Sequence, residues 1–258
     1  MTKQVHRRLI LFIKPFFPPI IWKAARIVFI QKFSKDDDNQ IVSYQFVAQG
    51  KFLQQMHEGT FSEIHEKFAR LDTHINVDIN VTRLRVYTLC TWAQVALTNT
   101  KNGDFLAAGI SFGTSSLVVS EFSKLQNQHR KQYFIDPMDG RGHGDYNSDR
   151  PLVESRWNPA VPLIWIQEPL SIKALDKVGA LSFAHLNTGA WEAEVECLPL
   201  IYQKLVAGGI LIMDYYGWKP REMQLVVNQV LDGMGAKYFI TPSLQLIVVR
   251  QVDLRGKY

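Results

Sequence analysis

The sequence contains only two cysteines among its 258 residues, Cys90 and Cys197, and they lie far apart in apolar helical patterns. No C-x-x-C pair occurs, so a disulfide framework and a cysteine-rich zinc site are both excluded as the basis of the fold. We therefore expect two buried, reduced thiols and a cytoplasmic protein.

Long apolar runs are also missing from the N-terminal part of the chain. Residues 9–13 are apolar but too few for the core of a signal peptide. Residues 20–33 carry Lys23 and Arg26 at helical spacing, so this stretch is too short and too charged to span a bilayer. It predicts a basic amphipathic helix that could lie on an anionic membrane surface, pack on the main domain or form a homo-oligomer contact.

Acidic residues are absent from residues 1–35, which hold eight of the 29 basic residues. The net charge of +5 belongs to this segment, because the rest of the chain has 21 basic against 24 acidic residues. A nucleic-acid-binding domain normally spreads its positive charge over a folded face with interleaved aromatic residues. The pattern therefore argues against nucleic acid as a partner, and any peripheral membrane contact is expected through residues 1–35.

The change in charge also divides the chain. We predict a basic amphipathic N-terminal extension at 1–39 and a main domain at 40–258. Within the main domain, apolar residues at helical spacing predict a helical lead-in over 40–100, followed by a core over 101–258.

Short apolar strands alternate with helices in this core, which predicts a parallel sheet covered on both faces. Only Pro242 and Ser243 separate the last two strands, too few residues for a crossover helix, so these strands should pair antiparallel. The predicted fold is α/β: a doubly wound, mostly parallel seven-stranded sheet of Rossmann-like type that ends in an antiparallel hairpin, with an N-terminal helical extension. The predicted strands are 105–110, 132–136, 162–166, 181–186, 209–214, 237–241 and 244–249, and the predicted helices lie near 114–125, 171–177, 192–205 and 219–234.

A glycine-bearing turn between the first core strand and the next helix is the strongest functional signal. Gly109 and Gly113 let the backbone approach a ligand, and Ser115 lies where helix N–H groups are free. The second strand ends in Asp136, where a carboxylate could accept both hydroxyls of a ribose. These residues predict a ligand with a carboxylate and a nucleoside, while a turn that needs glycine only for packing is the alternative.

Four segments stand at predicted strand ends in this order. They read Ala-Ala-Gly-Ile-Ser-Phe-Gly-Thr-Ser-Ser at 107–116, Ile-Asp-Pro-Met-Asp-Gly at 135–140, His-Leu-Asn-Thr-Gly at 185–189 and Gly-Gly-Ile-Leu-Ile-Met-Asp-Tyr-Tyr-Gly at 208–217. Together they resemble the motifs of the macrocin O-methyltransferase family, bacterial enzymes that methylate sugar hydroxyls with S-adenosylmethionine. The resemblance covers about residues 80 to 250.

The resemblance implies an S-adenosylmethionine-dependent methyltransferase with a small-molecule or sugar acceptor. Gln167 and Glu168, after the third strand, are then expected on the adenine side of the cofactor. The family binds a divalent cation through aspartates at the third and fourth motifs, but here those positions are Asn187, Asp214 and Tyr215. Because Mg²⁺ prefers several anionic oxygen ligands, we predict no bound metal.

The first motif departs as well, since Ala107 replaces the acid that holds the methionine ammonium in the family. With Asn187, Gly189 and Tyr215 also changed, a non-catalytic binding or scaffold protein of the same fold, in a glycan or secondary-metabolite pathway, is the alternative.

Asp214 and His185 are the candidate catalytic residues. Methyl transfer needs a group that orients the acceptor hydroxyl and one that removes its proton. Asp214 could act as base or orienting group, or merely cap the loop that follows. His185 could be a base or a satisfied core histidine. Arg85 could bind an anion or form a surface ion pair, and residues 215–218 could offer an aromatic wall to an acceptor.

Overall fold

The computed structural model describes much of the predicted main domain 40–258. The predicted extension 1–39 and its boundary at residue 40 lie outside the described part of the chain. The described residues are 59–69, 79–110, 113–124, 130–137 and 150–251.

Seven strands and their covering helices follow one another in the predicted alternation. The helices are α1 (Gly59–Ala69), α2 (Ile79–Asn99), α3 (Thr114–Lys124), α4 (Arg150–Arg156), α5 (Ile172–Leu175), α6 (Trp191–Lys204) and α7 (Arg221–Gly233), with a 3-10 turn at Tyr216–Trp218. The strands are β1 (Asp104–Ala108), β2 (Gln132–Ile135), β3 (Leu163–Ile166), β4 (Leu181–Leu186), β5 (Leu205–Met213), β6 (Lys237–Ile240) and β7 (Leu246–Val249).

The strands form one sheet in the order β3-β2-β1-β4-β5-β7-β6. β1 to β5 are parallel, whereas β7 pairs antiparallel with both β5 and β6. The predicted doubly wound sheet with a terminal antiparallel hairpin is confirmed. The chain order reverses between β1 and β4, which opens a crevice at the carboxyl ends of the parallel strands.

Both faces of the sheet are apolar because successive strand residues point to opposite faces. Phe105, Phe183 and Ile212 pack with α1, α2 and α3 on one face. Leu106 and Leu211 pack with α5, α6 and α7 on the other. His185 and Asp214 follow the alternation of Phe183 and Ile212, so they lie on the α2 face of the sheet.

Two predicted strand boundaries are wrong, and one helix is missing from the prediction. β1 ends at Ala108, not at residue 110, because Gly109 leaves the strand with φ of 81°. β5 begins at Leu205 directly after α6, four residues before its predicted start. Helix α4, whose Val153 is buried, lies between β2 and β3, where no helix is predicted from the sequence.

None of the described helices is long and apolar enough to cross a membrane.

Candidate active site

The turn after β1 packs directly against the residues that follow its neighbouring strand β4. The N–H of Asn187 donates to the carbonyl of Ala108 over 2.8 Å. A Cβ on Gly109 would lie 2.1 Å from the Asn187 carbonyl oxygen, so no larger side chain fits. Glycine is therefore required here both for its positive φ and for the close approach of two backbones.

Asp136 is fixed at the end of β2 beside that turn. The N–H of Ile110 donates to Asp136 Oδ2 over 2.6 Å, and the Asp136 side chain is buried. Its own N–H donates to the carbonyl of Ile166 at the end of β3. The structure thus joins the glycine turn and the predicted ribose-binding carboxylate in one hydrogen-bonded unit.

Gly113 begins the first turn of α3. Its N–H donates to the carbonyl of Ile110 over 2.8 Å, and its φ is 79°. A Cβ at Gly113 would lie 2.7 Å from Val153 Cγ2, so this glycine allows α4 to pack against the turn. Ser115 is half-buried in the first turn of α3. Packing thus accounts for part of the need for glycine at residue 113.

Gln167 and Glu168 lie after β3, at the same edge of the sheet. Gln167 is exposed and its Oε1 accepts from Arg150 over 3.3 Å. Glu168 pairs with Lys177, and this hydrogen bond lowers the pKa of the Glu168 carboxyl. Both residues predicted on the adenine side thus already have protein partners.

Asp214, immediately after β5, is the centre of a buried polar cluster. Its Oδ2 lies 2.5 Å from Arg85 Nη2 and 3.0 Å from His185 Nε2. Its Oδ1 accepts from Gln245 Nε2 over 2.5 Å and from Arg85 Nε over 3.4 Å. Both carboxylate oxygens are therefore engaged, by side chains from α2, β4 and the β6–β7 turn.

The charges of Asp214 and Arg85 balance each other. Burial raises the pKa of Asp214, but the neighbouring Arg85 and His185 lower it by a larger amount. The pKa of Asp214 therefore lies well below its usual range. Burial lowers the pKa of Arg85, while Asp214 and Tyr215 raise it above its ordinary value. Asp214 and Arg85 are thus an ionised pair at neutral pH. The suggestion of a surface ion pair for Arg85 is wrong, because the pair is buried.

Tyr215 covers the other side of the Arg85 guanidinium. The Arg85 Cζ lies 3.6 Å from the centre of the Tyr215 ring. Tyr215 and Trp218 are both more than a third exposed, whereas Tyr216 is buried with its hydroxyl bonded to Asn228. Two of the aromatic residues predicted to face an acceptor are thus accessible, and one belongs to the core.

Glu194 is a buried acid that the sequence analysis did not identify. Its Oε1 accepts from the Thr188 N–H over 2.7 Å and from Thr188 Oγ1 over 2.9 Å. Burial is the main cause of its raised pKa. This contact holds the turn between β4 and α6, where the third motif lies. The only sequence signal for Glu194 was its position in the first turn of α6. Acidic residues are common in the first turn of a helix because they interact favourably with the helix dipole, so this position did not indicate a buried acid.

The residues at the motif positions do not fit a divalent cation. Asp214 is the only carboxylate among Asn187, Asp214 and Tyr215, and a guanidinium already contacts it. Across the described ranges, no group of three or more His, Cys, Asp or Glu side chains could hold a metal ion.

No family model matches the chain, and no curated protein matches it in sequence. Solved structures match it in fold. A protein from Corynebacterium glutamicum is 13% identical, with a TM-score of 0.52 over 82% of this chain and 98% of its own. A protein described as an O-methyltransferase from Klebsiella pneumoniae is 12% identical, with a TM-score of 0.50 over 81% of this chain and 99% of its own. The O-methyltransferase NovP is 15% identical, with a TM-score of 0.48 over 65% and 80%. The two matches with TM-scores of 0.50 and above show that the chain shares its fold with a protein described as an O-methyltransferase.

Proposed function

We propose that this chain is an S-adenosylmethionine-dependent O-methyltransferase that acts on a small-molecule or carbohydrate hydroxyl without a metal. The observation that carries the proposal is the joined pair of strand ends, in which the N–H after Gly109 orients the buried carboxylate of Asp136. This unit lies at the carboxyl edge of the sheet, where α/β folds of this type bind their ligands.

The site fits the cofactor in its donor set. Backbone free of side chains at the glycine turn suits the approach of a ligand, and a fixed carboxylate suits a pair of ribose hydroxyls. When bound, S-adenosylmethionine would supply an electrophilic methyl group. The residues proposed to hold it are Gly109, Gly113, Ser115, Asp136, Gln167 and Glu168.

His185 and Asp214 divide the remaining chemistry between them. Asp214 remains ionised and neutralised by Arg85, so it is a poor proton acceptor near neutral pH. We propose that His185 takes the proton from the acceptor hydroxyl and that Asp214, bonded to its Nε2, orients the ring and stabilises the imidazolium. Imidazole is the side chain that most often performs this task.

The acceptor would lie beside Tyr215 and Trp218. Their exposed rings offer apolar faces on which a sugar or an aromatic acceptor could stack. This placement would bring the acceptor hydroxyl to the same strand end as Asp214.

The alternative is a non-catalytic binding or scaffold protein of this fold in a glycan or secondary-metabolite pathway. Two observations favour it. Ala107, Asn187 and Tyr215 stand where the resemblance implies acidic residues, and both carboxylate oxygens of Asp214 are already bonded to protein groups. Such a protein would bind a ligand without transferring a methyl group.

Calorimetric titration of the full chain with S-adenosylmethionine and S-adenosylhomocysteine, with and without Mg²⁺, tests the proposal. We expect binding that is indifferent to Mg²⁺ and is lost in Asp136→Ala. Asp104→Ala, at the opposite end of the neighbouring strand β1, is the matched control and should still bind. Failure of the wild-type protein to bind either ligand would reject the methyltransferase assignment.

Transfer of a labelled methyl group to a panel of sugar and phenol hydroxyls separates the two candidates. We expect transfer by the wild-type protein and a loss of about 100-fold or more in His185→Gln, the scale of general base catalysis. Cofactor binding without transfer to any acceptor class would favour the non-catalytic alternative.

A further inference from the structure

We infer that the guanidinium of Arg85 takes the place of the divalent cation that the family resemblance implies at the end of β5. Arg85 would then be a positioning residue, which supplies a fixed positive charge to Asp214 on the acceptor side of the site. The role given to this charge rests on the proposed function. The ion pair between Arg85 and Asp214 is observed in the structure and does not depend on that function.

The ion pair between Arg85 and Asp214 has a two-point geometry. Arg85 approaches Asp214 with two nitrogen atoms, Nη2 toward Oδ2 and Nε toward Oδ1. Both side chains are more than nine-tenths buried. A buried carboxylate needs a compensating positive charge, and here the chain itself provides it. A divalent cation added at this point would be placed against a guanidinium and repelled.

Tyr215, which follows Asp214, has an unusual backbone conformation. Tyr215 has φ of 55° and ψ of 10°, the left-handed region that bulky side chains rarely adopt. Aspartate, the residue that the resemblance implies at this position, tolerates the region more easily. The less favourable tyrosine places its ring 3.6 Å from the Arg85 guanidinium, a contact that aspartate could not make. The exchange of acid for aromatic residue thus matches the exchange of metal ion for guanidinium.

A chain of hydrogen bonds supports Asp214 on the side away from Arg85 Nη2. Gln245 donates to Asp214 Oδ1 and is itself bonded through its Oε1 to Ser243. Ser243 in turn contacts Thr88, one helical turn after Arg85 in α2. The carboxylate and the guanidinium are therefore held by one continuous network, which leaves Asp214 no rotation toward a metal ion.

A swap of residues tests the inference through Mn²⁺ binding to the full chain, measured by the loss of the free-ion paramagnetic resonance signal. We expect no Mn²⁺ binding by the wild-type protein. Tyr215→Asp should not bind either, because Arg85 still neutralises the acids. Tyr215→Asp combined with Arg85→Gln should gain one Mn²⁺ site, and further change of Asp214→Asn should remove it.

Arg83→Gln combined with Tyr215→Asp is the matched control. Arg83 lies on the same helix but pairs with Glu66, so its loss should create no Mn²⁺ site. Circular dichroism establishes that each variant is folded before the titration.

Two results would overturn the inference. One is Mn²⁺ binding by the wild-type protein or by Tyr215→Asp that Asp214→Asn abolishes, because a cation would then bind beside Arg85. The other is a folded Arg85→Gln/Tyr215→Asp protein that binds no Mn²⁺. If that double variant does not fold, Tyr215→Asp alone decides: binding overturns the inference and absence of binding supports it. Titration with S-adenosylhomocysteine is a separate readout, so failure of the proposed function would be seen independently of the Mn²⁺ result.

Discussion

Arg85 and Asp214, 129 residues apart in the chain, form a two-point ion pair that joins helix α2 to the end of β5. The pair is buried and lies where the carboxyl ends of the parallel strands open the candidate active site. The pair therefore affects both the stability of the fold and the electrostatics of the candidate active site.

Removing one member of this pair should destabilise the protein strongly. We expect Arg85→Met to lower the free energy of unfolding by about 3–5 kcal/mol, because it leaves a buried carboxylate without its positive partner. Once Arg85 is replaced, the second change Asp214→Asn should cost less than it does in the wild-type protein. Urea unfolding of the two single variants and the double variant measures the coupling.

The exposed pair Arg150–Glu154 on α4 provides the control. Its coupling energy in the same cycle should be only about 0.3–0.5 kcal/mol. Equal coupling in the two pairs would show that burial of Arg85 and Asp214 contributes nothing to their interaction.

The lowered pKa of Asp214 predicts a dependence of stability on acid. Its carboxyl has an unfolded-state pKa of about 3.9 and a folded-state pKa below that value. The stabilisation is therefore complete above the unfolded pKa and is lost as the pH falls below it toward the folded pKa. In thermal melts from pH 7 to pH 2.5, the difference between wild type and Asp214→Asn should shrink below about pH 4.

Asp176→Asn is the matched control, because Asp176 is exposed at the end of α5. Its difference from the wild-type protein should stay small throughout. A constant difference between Asp214→Asn and wild type down to pH 2.5 would contradict the ionised pair.

Glu194 should act in the opposite direction. Burial raises its folded-state pKa above the unfolded value of about 4.3, so the native state holds the proton more firmly. This contribution is complete below the unfolded pKa and is lost as the pH rises through the folded pKa. Glu194→Gln keeps an oxygen for the Thr188 N–H, so its stability relative to wild type should increase as the pH rises.

Denaturant unfolding of wild type and Glu194→Gln between pH 4 and pH 8 measures this change. Glu192→Gln, an exposed residue in the same first turn of α6, should show no such trend. A relative stability of Glu194→Gln that falls with rising pH would show that the ionised carboxylate is the favoured form.

The fold could be predicted from the sequence because its signals are local. Apolar runs bounded by turn residues gave the strands, and the two residues Pro242 and Ser243 were enough to indicate the antiparallel hairpin. The errors arose where local signals mislead. The residues before α4 are rich in glycine and in charged side chains, which hides the helix in the sequence. The structure shows that Val153 of α4 packs on Gly113, a tertiary contact that helps to stabilise the helix.

The candidate site was predictable only in part, for a related reason. Gly109 and Asp136 lie at strand ends, and the parallel sheet brings all such ends to one edge. The partners of Asp214 cannot be inferred in this way, because helical periodicity places Arg85 on a face of α2 without saying which strand end it meets. Gln245 carried a weak signal in the sequence, because it is an amide among the apolar residues of the predicted strand 244–249. The structure shows that it is fully buried, and a buried amide needs a polar partner.

Alanine substitution at three glycines should show whether the turn after β1 needs Gly109 for space or only for its positive φ. Gly109→Ala combines a φ of 81° with a Cβ only 2.1 Å from the Asn187 carbonyl oxygen, so β1 and β4 must move apart. We expect a loss of at least about 3 kcal/mol in the free energy of unfolding and loss of cofactor binding, since strain alone costs about 1–3 kcal/mol.

Two other glycines are the controls. Gly235→Ala has a φ of 63° in open space and should cost only about 1 kcal/mol. Gly233→Ala, in open space at the end of α7, should be neutral or stabilise by up to about 1 kcal/mol. Chemical denaturation of all three variants measures the order, and equal costs for Gly109→Ala and Gly235→Ala would mean that the contact with Asn187 is not what requires glycine there.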